Sequence, residues 1–293
     1  MREVRLVCEG SPGKVDVRVL DAIVAQRLGV RVRIEPAGGD KGLGSVRQYL
    51  EATNRAIVLT IEDRNYRSRG DALATWNGGR TLMWTRHEIE NYLLEPQVVF
   101  AAFRRFAATV RDDWAKRLPD SLAGVEELLR GLAEPLREEH AGSLLFEEIR
   151  ASLGSVGVQR PKQSSIEADG WILCIQKELA RVGEAGSSVE KRAAGWSERL
   201  AARSEAIRTE VYAPEFLQGR HLQEMGGHEL MSRLVRTLYG LGAVRLTTQD
   251  LEGALIEALG DVYTEGTLYK TDERDDFAAL RDKLVAAGAA VKS

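Results

Sequence analysis

Cysteine is almost missing from this chain. Cys8 and Cys174 stand far apart with no Cys-x-x-Cys and no His/Cys cluster, which argues against a disulfide framework and a zinc site. A basic excess is missing too: the formal charge is −3 and the pI near 6.0, so the chain is no globally basic nucleic-acid coat, and any polyanion contact must be local. No uncharged run approaches the roughly 18 residues of a membrane helix. "MREVRLVCEG" also lacks the apolar centre of a signal peptide. These absences lead to the expectation of a soluble cytoplasmic protein with no membrane partner. No fixed-period repeat is visible.

What is present is enough apolar sequence, 44% of 293 residues, to build two cores. The first third alternates in period. "VRLVC" (4–8) reads as a strand, "KVDVRVLDAIVAQRLG" (14–29) as a helix, "VRVRIEP" (30–36) as a strand, "SVRQYLEAT" as a short helix and "AIVLTI" (56–61) as a buried strand. "TLMWT" (81–85) adds a strand, and "RHEIENYLL" (86–94) carries helical spacing that stops before Pro96. Strands alternating with helices predict a mostly parallel sheet with right-handed crossovers. Beyond residue 97 amphipathic helical patterns take over. The expected architecture is therefore an α/β domain over 1–96 and an all-helical region over 97–293. Within the latter, 167–212 has the pattern of a helical-hairpin arm turning at "GEAGSS", an ordinary packed helix pair being the plainer alternative.

Two strand exits carry acids, Glu9 in "VCEGS" and Asp63 in "TIEDRN". Open parallel sheets place their sites at such exits, so the two carboxylates are expected to converge. An oxygen-only cluster suits Mg²⁺ or Mn²⁺ better than zinc. Alternation along the strand ranks Asp63 above Glu62. Asp16, just inside the next helix, is a further candidate, and its plainer reading is an acid favourable to a helix N-terminus. In "RHEIENYLL", Glu88 and Glu90 cannot share one helical face, and Arg86 could simply pair with Glu90. The density of polar groups at His87, Glu88, Glu90, Asn91 and Tyr92 beside a strand end nevertheless marks the segment. "AGGDKGLGS" lacks the ending of a P-loop and reads first as a βα turn. Candidate phosphate contacts are Arg64 and Arg67 directly after Asp63, with Arg86, His87 and Lys41; a solvated loop is the alternative for the arginines.

Together "CEGSPGKVDVRVL", "LTIEDRNY" and "WTRHEIENYLL" resemble the TOPRIM domain. They are more closely similar to the TOPRIM nucleases found beside ABC-type ATPases in bacterial defence loci, the overcoming-lysogenization-defect nucleases and the nuclease subunit of PARIS-type anti-phage systems. "EIENYLL" is the most specific element, and "EFLQGRHLQEMGGHELMSRL" (215–234) echoes a Gly-Lys-helix element, with Gly219 and Arg220 in the matching places. The resemblance implies a divalent-metal-dependent endonuclease acting on DNA or RNA, transfer RNA included, as a defence effector with an ABC-type ATPase partner; a homodimer is also open to it. It implies Glu9, Asp63 and Glu90 as catalytic acids, with Glu9 as metal-linked base, and Glu9, Asp63, Asn65 and Glu90 as metal ligands. Asn65 stands where the family has a second Asp, and "SPGKV" lengthens the step from Glu9 to Asp16. The alternative is a catalytically weak or inactive TOPRIM-fold subunit that binds or assembles within an ATPase complex. Neither a Tyr nucleophile motif nor companion domains support a topoisomerase or primase.

Overall fold

The computed structural model describes residues 3–54, 56–110, 112–153, 196–269 and 274–291. Residues 167–195 of the expected hairpin arm lie outside them. Contacts gather Met1–Leu129 and Leu222–Ser293 into one compact unit and Arg130–His221 into a second.

In the first unit, β1 (Val4–Cys8), β3 (Arg33–Pro36), β4 (Ile57–Glu62) and β5 (Thr81–Met83) form a parallel sheet in the order β3-β1-β4-β5. All five residues of β1 and the middle four of β4 are buried, which is why both read as apolar runs. Pro36 ends an edge strand, where its missing N–H interrupts no central ladder. From β1 the chain runs to the neighbouring edge strand through α1 (Val15–Leu20) and a π-type continuation, Asp21–Arg27. It then returns through α2 (Asp40–Asn54) to β4. The topological switch falls between β1 and β4, where the register Leu6↔Leu59 and Cys8↔Ile61 brings both strand ends level.

α2 lays Leu43, Val46 and Leu50 on Val7, Ala56 and Val58. It begins five residues earlier than "SVRQYLEAT" suggests, so most of the glycine-rich stretch is helical and Lys41 stands in a first turn. Gly42 serves the close approach: a Cβ there would lie 2.2 Å from the Ala37 carbonyl oxygen. The expected strand 30–36 is divided at Val32. β2 (Val30–Arg31) pairs antiparallel with β6 (Ala290–Val291), while β3 pairs with β1. That two-residue β6 is the one departure, among the described residues, from an all-helical region after the sheet.

α3 (Arg69–Thr75) starts at Ser68, whose hydroxyl accepts the Asp71 amide at 3.0 Å. After β5 come α4 (Glu90–Leu93) and α5 (Pro96–Thr109). Helix α6 (Leu122–Ala133) leads out of the unit, and the chain returns at Leu222 within α9 (His221–Glu224). It continues through α10 (Gly227–Gly240), α11 (Thr248–Thr264) and α12 (Asp276–Ala286). Opened by a Thr247/Asp250 capping box, α11 buries Leu251, Leu255, Leu259 and Val262, and contacts α5 and Asp21–Arg27. Arg27 and Arg105 both pair with Asp261 of this helix. No described helix is long and apolar enough to cross a membrane.

In the second unit, α7 (Arg137–Leu153) packs on α8 (Trp196–Tyr212) through Leu145, Ile149, Leu200 and Ile207. Burial drives the His221 imidazole down to about 4, opposed by the Phe216 backbone and helped by Arg130 and Arg137. Unfolded, it titrates at the ordinary 6.5. A depressed folded value means that its contribution to stability is present above pH 6.5 and is lost as pH falls through about 4. The loss amounts to about 3 kcal/mol. Hydrogen exchange of α7 and α8 is therefore expected to quicken on acidification across that window, and His221→Gln to flatten the response. An identical response in wild type and variant would remove His221 as its cause.

Candidate functional site

Glu9 and Asp63 leave the sheet side by side at the ends of the two central strands. The Asp63 amide donates to Glu9 Oε1 at 3.0 Å. Asp63 Oδ1 in turn accepts the Ile89 amide at 3.1 Å, which ties the β4 exit to the segment after β5. A second tie runs from the Asn65 amide to the His87 carbonyl at 2.8 Å. Gly10 lets the Asp16 side chain fold over the β1 exit: a Cβ on Gly10 would sit 2.5 Å from Asp16 Oδ2.

The helical pattern of "RHEIENYLL" is realised only from Glu90. Residues 87–89 face outward partners instead: the His87 amide reaches the Gln223 carbonyl at 2.8 Å and the Glu88 amide reaches Asn91 Oδ1 at 2.8 Å. With Ile89 turned to Asp63, this stretch is an amide-donating loop capped by its own Asn91. The fully buried Asn91 also donates from Nδ2 to the Leu222 and Met225 carbonyls, each at 2.9 Å.

Glu88 stands apart from the other acids. His228, in the first turn of α10, donates its amide to Glu88 Oε2 at 2.9 Å, and His87 Nδ1 lies 3.5 Å from Oε1. Burial alone would raise Glu88, but His87 and His228 bring it below the usual carboxylate range. Asp63, Asp16 and Glu90 are shifted the other way. Asp63 is pushed well up, by burial first and then by Asp16, Glu90, Glu9 and Glu88. Burial also raises Asp16, with Glu88 adding to it. Glu90 is pushed up to about 8 by burial, Glu88 and Asp16. The buried Cys8 thiol beneath them rises to about 12, chiefly from burial and then from Asp16 and Asp63. The site therefore gathers acidic groups at the sheet's carboxyl end.

The expected phosphate contacts are placed differently from one another. Arg64 is 3% exposed, and its guanidinium reaches the Arg67 carbonyl, the Gln223 carbonyl and Glu224 Oε2 at 2.8, 2.9 and 2.8 Å. Arg86 is buried on Glu95 and over the Tyr92 ring, so it does not pair with Glu90. His87 is buried edge-on to Tyr66, with ring centroids 4.6 Å apart. Arg67 remains at the surface, held by Glu62 at 3.0 Å and by backbone carbonyls; Glu62 is thereby turned to Arg67. Lys41 is exposed on α2. Asn65 adopts a left-handed backbone, φ 50°, a conformation Asn tolerates better than most residues.

The resemblance singled out 215–234 through Gly219 and Arg220, whereas the part of it that borders this site is Leu222–His228. The pair Gly226-Gly227 was the available signal: a Cβ on Gly227 would meet the Asn91 amide and Glu90 Cβ, each at 2.9 Å. Arg220, by contrast, pairs with Glu210 in the second unit.

In donor chemistry the residues fit a hard divalent cation, being oxygen-only and charge-rich. Among the described residues, no three His, Cys, Asp or Glu side chains are grouped closely enough to hold a metal as they stand. No protein-family model matches the chain, and a search of curated proteins finds no match.

Proposed function

We propose that the protein is a Mg²⁺- or Mn²⁺-dependent endonuclease of TOPRIM type, the effector of an anti-phage defence system that works beside an ABC-type ATPase. The observation that carries this reading is the juxtaposition of Glu9 and Asp63, hydrogen-bonded together, at the switch point of a parallel sheet. Burial first, and then the neighbouring acids, hold Asp63 and Glu90 above the usual carboxylate range, which supports it, because a bound cation would favour their charged forms.

Glu9 and Asp63 would hold the cation, with Asp16, Asn65 and Glu90 beside them. When bound, the cation supplies an activated water and offsets charge developing on the phosphate. Glu9 Oε1 is fixed by the Asp63 amide, which orients the carboxylate that takes the water's proton. In the absence of a cation, Glu90 keeps its own proton up to about pH 8. Arg67, at the surface after Asp63, is the arginine best placed to meet a phosphate chain, with Lys41 on α2 a further contact. DNA and RNA, transfer RNA included, are both candidate substrates.

Purified protein is expected to cut DNA or RNA only with Mg²⁺ or Mn²⁺, and its expression to be toxic to cells in a way that Glu9→Ala relieves. Cutting that survives a chelator, or cutting and toxicity that are the same in Glu9→Ala, would overturn the reading.

That no three His, Cys, Asp or Glu side chains are grouped to hold a metal among the described residues favours one alternative, a TOPRIM-fold subunit that assembles with an ATPase and cuts weakly or not at all. Asn65→Asp separates the two. It restores a carboxylate at a position whose left-handed backbone Asp also tolerates, and Mn²⁺ affinity measured by calorimetry is expected to rise about tenfold. Unchanged or weaker binding would favour the assembly role.

A further inference from the structure

We propose that Arg64 and Glu224 are a positioning pair. Through the segment Leu222–His228 they hold the Asp63 turn and the His87–Asn91 loop in one register, and so set the affinity of the acidic site for a divalent cation. The inference deepens the metal-dependent reading above and rests on it. It also removes Arg64 from the residues that touch nucleic acid.

The geometry points there from both loops. Arg64 follows Asp63 directly, yet its guanidinium turns inward to the Arg67 carbonyl, the Gln223 carbonyl and the Glu224 carboxylate. The Gln223 carbonyl accepts a second hydrogen bond from the His87 amide at 2.8 Å, so one oxygen is shared by the two acid-bearing loops. On the far side, the Asn91 amide spans from the Glu88 N–H to the Leu222 and Met225 carbonyls. Next along the chain, the His228 amide holds Glu88 itself.

A short segment thus meets both loops, at Arg64 in one and at His87, Glu88 and Asn91 in the other, and Arg64–Glu224 is its one ion pair with them among the described residues. Reaching a phosphate would require Arg64 to leave this pair and strand Glu224, whose side chain is 23% exposed. Groups that orient ligating carboxylates from outside commonly alter metal affinity by about ten- to a hundredfold when removed. That places the expected effect in metal binding, not in contact with the nucleic acid.

The test uses the full chain and two mild variants, Glu224→Gln and Arg64→Lys. Mn²⁺ binding is measured by calorimetry, hydrogen exchange is followed in segments 62–67 and 86–93, and nucleic-acid binding is measured in EDTA. In both variants Mn²⁺ affinity is expected to fall about tenfold and both segments to exchange faster, with nucleic-acid binding in EDTA unchanged. Unchanged Mn²⁺ affinity, or faster exchange in one loop alone, overturns the pair's joint role. Weaker nucleic-acid binding by Arg64→Lys with Mn²⁺ affinity intact would return Arg64 to the phosphate. If wild-type protein takes up no Mn²⁺, the metal-dependent reading falls, while the exchange comparison still decides whether the pair holds both loops.

Discussion

Asp63→Asn is expected to lose divalent-metal-dependent cleavage by a hundredfold or more, on the order expected for removing charge from a metal-linked acid, while making the metal-free protein no less stable. The two effects separate because Asn keeps an oxygen for the Ile89 amide, now 3.1 Å from Asp63 Oδ1, and discards only the charge. That charge is unwelcome in the absence of a cation. Burial and then Asp16, Glu90, Glu9 and Glu88 hold the folded Asp63 well above its usual range.

A carboxyl raised on folding contributes stability that is fully present below its unfolded pKa and is lost as pH rises through its folded value. Wild-type metal-free protein should accordingly melt lower as pH rises. Asp63→Asn should flatten that trend, and Mn²⁺ should raise the melting temperature of wild type far more than that of the variant. Cleavage within a few-fold of wild type would dismiss Asp63 from the chemistry. A variant that is inactive and also much less stable would make it a structural residue.

Asp276→Ala is expected to produce the largest loss of stability, about 3–5 kcal/mol for breaking a buried charge network, or a fall in melting temperature on the order of 10 °C. Asp276 is fully buried at the start of α12. Its Oδ2 accepts the Thr85 amide at 3.0 Å, the Thr85 hydroxyl at 2.6 Å and the Tyr92 hydroxyl, while Arg274 lies 3.4 Å from Oδ1. Removing the carboxylate strands three donors away from water. It also loosens Phe277, whose ring packs on Trp84 at 5.4 Å and Tyr92 at 5.0 Å. Thermal unfolding followed by circular dichroism measures the effect. A loss below about 1 kcal/mol, the size of a single ordinary hydrogen bond, would show the network to be dispensable.

The β-α-β order was legible because β1 and β4 are buried on both faces and so read as unbroken apolar runs; Glu9 was legible as the first acid past β1, and Asp63 as the second of two acids at the β4 exit, ranked above Glu62 by strand alternation. Less legible was whatever depends on partners distant in sequence. Nothing local to "VRVRIEP" indicates that Val30–Arg31 would find Ala290–Val291 while Arg33–Pro36 stays with β1. The spacing in "RHEIENYLL" is helical, but the amides of His87 and Ile89 are claimed by Gln223 and Asp63, so the helix waits until Glu90. Arg64 reads as a surface arginine in sequence, since the carboxylate that draws it inward lies 160 residues later.

That last separation bears on how the protein is made. Glu9, Asp63 and Glu90 leave the ribosome well before Gln223 and Glu224, and at about 5–20 residues per second the roughly 130 residues between Glu90 and Glu224 correspond to several seconds or more of translation. During that interval the two acid-bearing loops have their direct ties to each other but not the segment that joins both. A nascent chain, or a fragment cut short before Leu222, therefore carries every acid of the site without the segment that fastens both loops together.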